Sequence, residues 1–124
     1  MTDTHVDAET ARETVRAYYR RVDAGEYEEL LALFAADVRY DRPGQGTIEG
    51  IDALERFYRS ERPLSDGSHD LRTVVVEDDT AAVRGVFSGR QDETTVSFGF
   101  ADFHTFDADG LIARRVTYTD RDEI

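Results

Sequence analysis

The chain has 124 residues, enough for one domain with a core and too few for two. It carries 27 acidic against 15 basic residues, a net charge of −12, which excludes a basic face for nucleic-acid phosphates. It has no Cys, which excludes disulfide scaffolds, thiolate metal sites and Cys nucleophiles.

No apolar run reaches the roughly 18 residues of a membrane span, and no charged segment leads into an apolar one, so a cytoplasmic location is expected. The basic residues are all Arg, and Asp outnumbers Glu by 16 to 11. A carboxylate-rich, lysine-free surface suits a halophilic protein, because molar salt shortens the Debye length to about 3 Å and screens self-repulsion.

Residues 1–6 read as a mobile N-terminus that includes His5. Ala11, Val15, Tyr18, Tyr19 and Val22 then recur at helical spacing over residues 8–24, with Asp7 as N-cap and Gly25 past the end. Tyr27, Leu30, Leu31 and Phe34 continue that spacing and predict a second helix. Val38–Asp41 is a short strand stopped by Arg42-Pro43-Gly44, and Gly44–Thr47 reads as a flexible connection. A third helix is predicted over Ile51–Arg62, before Pro63.

After a Ser/Asp/Gly turn the period changes to two. Strands are predicted at Leu71–Val76, Ala81–Ser88, Thr94–Phe106 and Leu111–Thr119, with turns at Glu77–Thr80, Gly89–Glu93 and Asp107–Gly110. Short connections imply an antiparallel meander, and the helix-then-strand order implies an α+β domain with three helices on one face.

The long strand carries the chemistry. One face reads Val96, Phe98, Phe100, Asp102, His104, Phe106 and should turn toward the helices. A carboxylate on an apolar face must be paired, hydrogen-bonded or protonated. Either Asp102 and His104 form a satisfied or wet polar patch, or they are the polar groups of a pocket. Residues two apart share a face, so they are also an acid/base couple. The three His have no metal-ligand spacing, so no metal is assigned, and no cofactor is expected. Arg114-Arg115 reads as surface charge.

Tyr18-x6-Gly25-Glu26, Leu30–Asp37, Gly50-Ile51-x2-Leu54-x2-Phe57-Tyr58 and Asp102–Ile112 together resemble the nuclear transport factor 2-like superfamily. Within it the chain is most similar to the SnoaL-like polyketide cyclases and ketosteroid isomerases. The resemblance covers nearly all of residues 1–124 as a single domain. It implies a cone-shaped, strongly curved antiparallel sheet wrapping a helix, and a homodimer through the convex face, where Phe103, Ala101, Thr95 and Ser97 lie.

By that resemblance Tyr18 and Asp102 match the isomerase oxyanion pair. The isomerase base, an Asp before Pro, is replaced by Arg42. Asp41 is one residue too early and serves as base only if a bulge re-aims it. Arg42 stays protonated and would hold a nearby Asp102 ionised, which prevents Asp102 from donating a hydrogen bond. The catalytic candidates are therefore Asp102, His104, Tyr18 and Asp41. The ligand-wall candidates are Arg42, Tyr40, Phe98, Phe100, Tyr58 and His69, although His69 reads first as a surface imidazole.

Two functions remain at this point. One is a pocket for an apolar or weakly anionic small molecule, with proton-transfer chemistry of isomerase, cyclase or dehydratase type. The other is a non-catalytic dimerisation or accessory module in which Arg42 and Asp102 simply form a buried ion pair.

Overall fold

The computed structural model describes residues 7–124; the expected mobile segment 1–6 and His5 lie outside the described residues. Helix α1 spans Ala8–Ala24, and the Asp7 side chain accepts a hydrogen bond from the Thr10 amide at its N-terminus. Gly25 ends it at φ 71°, a left-handed conformation that favours glycine. Ala11, Val15, Tyr18, Tyr19 and Val22 form its buried face, as their spacing predicts.

Helix α2 is only Tyr27–Leu31. Phe34, read as its last inward residue, instead opens strand β1, Phe34–Arg42. Strand β2, Gly46–Glu49, occupies part of the segment expected to be a flexible connection and pairs antiparallel with β1. Helix α3 covers Ile51–Arg56 and runs on as a π-helical turn, Phe57–Glu61, so the predicted third helix holds with a widened second half.

Strands β3 (Leu64–Glu77), β4 (Thr80–Gln91), β5 (Thr94–Phe106) and β6 (Ile112–Thr119) form the meander. The Ser/Asp/Gly segment is not a turn before β3. It lies inside that strand, where the register shifts between Ser65 and Ser68 and Asp66 takes φ 50°.

The sheet order is β2-β1-β6-β5-β4-β3. The meander is antiparallel as expected, but β1 joins β6 in parallel, so the sheet is mixed at that one pair. The sheet is curved and unclosed, and α1 packs against β3 and β4. The inner face of β5 is buried at every position from Val96 to Phe106 in steps of two, as the alternation predicts. Among the described residues no helix is long and apolar enough to cross a membrane.

Candidate functional site

Asp102 is 1% exposed and takes three hydrogen bonds. Tyr19 Oη donates to Oδ2 at 2.5 Å, Arg115 Nη2 to Oδ2 at 2.8 Å and Thr117 Oγ1 to Oδ1 at 2.6 Å. Burial by itself would raise the carboxyl pKa. The Arg115 charge, His104, and the Thr117 and Tyr19 hydroxyls outweigh it and hold the group below the ordinary carboxylate value. Asp102 is thus an ionised carboxylate, as the sequence argument required of an Asp beside an Arg. The arginine is a different one: Arg115, read as surface charge, is 2% exposed, whereas Arg42 makes no ion pair with Asp102.

Hairpin register produces this arrangement. With the turn at Asp107–Gly110, Thr117 lies opposite Asp102 and Arg115 opposite His104. Arg115 reaches diagonally to Asp102 and stacks on the Tyr18 and Tyr40 rings, its guanidinium carbon 4.1 and 4.6 Å from their centroids. Burial opposes its charge, but Asp102 and these rings keep it firmly protonated.

His104 is fully buried, with both ring nitrogens engaged. Nδ1 lies 3.3 Å from the Ala81 carbonyl, and Nε2 accepts from Arg115 Nε at 3.2 Å. These contacts fit a neutral imidazole carrying its proton on Nδ1. Burial, reinforced by the Arg115 charge, lowers its pKa to about 4. His104 supports Arg115 and Asp102 from behind and is not in the cavity lining.

Tyr18 Oη lies 2.7 Å from Tyr58 Oη, so the oxyanion-pair candidate Tyr18 is bonded to the wall candidate Tyr58. Burial raises the pKa of both phenols, and both stay protonated at neutral pH. Tyr40 Oη lies 2.7 Å from Thr117 Oγ1 and donates to it, since the Thr117 proton goes to Asp102.

Asp41 and Arg42 settle on opposite faces of β1. The register shift in β1 falls upstream, between Phe34 and Arg39, and does not re-aim Asp41. Asp41 accepts from Thr47 Oγ1 at 2.6 Å and lies near Arg39 and Arg114 on the outer face. Arg42 points inward, 6% exposed, with its guanidinium carbon 4.6 Å from the Phe57 centroid and 5.4 Å from that of Tyr40.

A small cavity of about 20 Å³ lies among these groups. Its polar lining includes Tyr18, Tyr40, Arg42, Asp102, Arg115 and Thr117, with His69 and Arg62 nearer β3. Phe87, Phe98, Phe100, Leu64 and Ile124 supply the apolar wall. His69 is thereby corrected from a surface imidazole: its side chain is 7% exposed and its Nδ1 is 2.6 Å from Asp23 Oδ1. Burial lowers its pKa although Asp23 opposes the shift. Of the ten candidates, seven line the cavity; His104 and Tyr58 stand one contact behind it, and Asp41 faces away.

The segment after β6 brings Ile124 into the cavity wall. Ile124 is 4% exposed, its amide donates to the Pro43 carbonyl at 3.1 Å, and the Glu123 carbonyl accepts from Gln91 Nε2 at 2.5 Å. Among the described residues no cluster of His and carboxylates could hold a metal.

A helix-wrapping curved sheet with a polar cluster at one end of its concave face defines a small-pocket α+β protein. The sequence profile of the SnoaL-like domain matches residues 15–115, and the chain belongs to that family. It is similar in structure to a protein assigned as a ketosteroid isomerase from Kribbella flavida DSM 17836, with 25% identity, TM-score 0.76, and coverage of 98% of this chain and 82% of that one. It is also similar to a protein assigned as a SnoaL-like polyketide cyclase from Jannaschia sp. CCS1, with 19% identity, TM-score 0.79, and coverage of 90% and 86%. An NTF2-like protein of unknown function from Burkholderia pseudomallei K96243 superposes with TM-score 0.81 at 20% identity, covering 90% and 91%. A search of curated proteins gives no match.

Proposed function

We propose that this SnoaL-like protein binds an apolar small molecule bearing a weakly anionic or carbonyl oxygen. One observation carries the reading: Arg42 is buried, faces an aromatic-walled cavity and has no carboxylate partner among the described residues. A buried cation left unpaired is costly, and a pocket that supplies its partner from a ligand accounts for its position.

The cavity in this state has room for one or two waters, so binding requires displacement of neighbouring groups. Residues 120–124 are the readiest to move. They are tied by few hydrogen bonds, each worth about 1 kcal/mol net, and Ile124 occupies cavity wall. Withdrawal of Ile124 would extend the space toward Phe98 and Phe100.

The chemistry open to such a pocket is proton transfer, as in isomerisation, cyclisation or dehydration. Asp102, ionised, serves as proton acceptor or as electrostatic anchor rather than as acid. Tyr18 donates a hydrogen bond to a ligand oxygen once its bond with Tyr58 is exchanged. His104 acts through Arg115 and not on the ligand.

The small cavity volume favours a second reading, a non-catalytic accessory module. A thermal-shift panel of steroids, aromatic ketones and aromatic acids separates the two. Small-molecule binding predicts stabilising compounds whose effect disappears in Phe98→Trp, which fills the cavity, and persists in Arg20→Gln on the exposed face of α1. A panel without any stabilising compound, or stabilisation that survives Phe98→Trp, refutes the binding reading. Under either reading the convex face pairs two copies, since Phe103 (44% exposed) and Tyr118 (58% exposed) stand together there.

A further inference from the structure

We infer that Arg42 and Arg62, assisted by Nη1 of Arg115, hold a carboxylate of the ligand, so that the pocket accepts an aromatic or alicyclic carboxylic acid. The inference rests on the small-molecule reading above and adds the chemical class of the ligand.

Among the described residues, three buried side-chain nitrogen or oxygen atoms lack a hydrogen-bond partner: Arg42 Nε, Arg62 Nε and Arg115 Nη1. All three are guanidinium donors, and all three residues line the same cavity. Orphan donors scattered through a core would be packing defects. Three of one chemical type, on residues that line one space, call for an acceptor that the protein's own side chains and backbone do not supply.

The local charge agrees. The cavity lining contains three arginines and one carboxylate side chain, in a chain whose net charge is −12. Asp102 is taken up by Arg115, Tyr19 and Thr117, so it compensates only one of the three cations. Arg42 and Arg62 make no ion pair with any described carboxylate. Arg62 makes only a long 3.5 Å contact to the Leu64 carbonyl and lies over the Phe87 ring. Despite 27 acidic residues, no neutralising side chain has been placed there.

The shape agrees as well. A carboxylate is planar, offers two oxygens to guanidinium donors and is flanked by its own hydrocarbon. The remaining wall is Phe87, Phe98, Phe100 and Leu64, which suits a ring next to the anion better than a second charged or hydrated group. A phosphate, carrying more charge and no apolar flank, would leave that wall without a partner.

The test is calorimetric titration of the full chain with benzoate, benzamide and inorganic phosphate at neutral pH and constant ionic strength. Benzoate should bind at least about tenfold more tightly than benzamide or phosphate. Arg42→Met and Arg62→Met should each weaken benzoate by about tenfold or more and benzamide by clearly less, and Arg20→Gln should change neither. Equal affinity for benzoate and benzamide, tighter phosphate binding, or benzoate affinity unmoved in both variants overturns the carboxylate site. If benzoate and benzamide bind equally and Phe98→Trp abolishes both, the pocket stands and only the carboxylate assignment falls. If neither binds even in Ile124→Ala, both readings fall. Thermal midpoints guard against a folding artefact. Removing an uncompensated buried cation should leave Arg42→Met as stable as the parent or more so, and a markedly lower midpoint would make Arg42 a structural stacking residue and overturn its role.

Discussion

His104 gives the polar cluster a measurable signature in stability against pH. Its pKa is about 4 in the folded chain, against an ordinary 6.5. Between these values the unfolded chain holds a proton that the folded chain does not, so folding stability must fall as pH is lowered through that window. The shift amounts to about 3 kcal/mol, fully present as stability above the ordinary value and fully lost below about pH 4. His69, also lowered, adds loss in the same direction.

Replacement by Asn isolates the His104 share. An Asn amide can donate toward Ala81 and accept from Arg115, but it does not titrate. Urea unfolding of the parent and of His104→Asn from neutral pH to about 4 gives two curves, and surface carboxylates cancel in their difference. The difference should shrink by about 3 kcal/mol over the window, because only the parent loses the His104 contribution. Parallel curves would mean that His104 titrates alike in both states. It would then be a wet acid/base group, and the clamp built on its neutral ring would be wrong.

Three further outcomes follow from the same geometry. Arg115→Met leaves Asp102 buried without its cation and should cost about 3–5 kcal/mol by urea unfolding, with a substantial part recovered in Arg115→Met/Asp102→Leu; additive losses would deny the pair. Phe103→Asp places a charge on the exposed convex patch and should convert a dimer to a monomer in sedimentation, with the fold unchanged by circular dichroism; a parent that is already monomeric contradicts the dimer. Because the net charge is −12, the thermal midpoint should rise steadily with NaCl toward molar concentrations, and a flat or falling midpoint would contradict salt adaptation.

Most of the fold was legible because its elements announce themselves by period. The buried stripe of α1 and the alternating face of β5 were both read at their observed positions. The failures have local causes. Phe34 fits helical spacing after Leu30 and Leu31, yet α2 ends at Leu31 and β1 begins at Phe34 beside Ile112 of β6. Asp66-Gly67 has turn chemistry, but β4 pairs on both sides of it and absorbs it as a bulge. The parallel joining of β1 to β6 sets the β1–β2 hairpin beside the last strand of the meander and has no signature in either segment.

At the site, the inward face of β5 exposed Asp102 as a group in need of partners, and the Arg42-Pro43 dipeptide marked the missing base. Arg115 and Thr117 were overlooked although a signal existed. Counting from the Asp107–Gly110 turn pairs the even positions of β5 with the odd positions of β6, which puts Arg115 and Thr117 on the inner face; the register shift beside Phe106 then sets them opposite His104 and Asp102. Adjacent Arg114 and Arg115 look alike in sequence, but strand alternation sends one outward and buries the other. Arg62 and Ile124 had no comparable signal. They reach the cavity from a helix end and from the segment after β6, where neither register nor period constrains them.

The most direct measurement of the central claim is the arginine Nε–H spectrum of nitrogen-15-labelled protein during titration with benzoate. The resonances of Arg42 and Arg62, assigned by their loss in the Met variants, should shift together and saturate, while those of exposed Arg20 and Arg72 stay fixed and benzamide at the same concentration shifts Arg42 and Arg62 clearly less. Unmoved Arg42 and Arg62 resonances at saturating benzoate, or shifts spread equally over the exposed arginines, would contradict a pocket built to receive an anion.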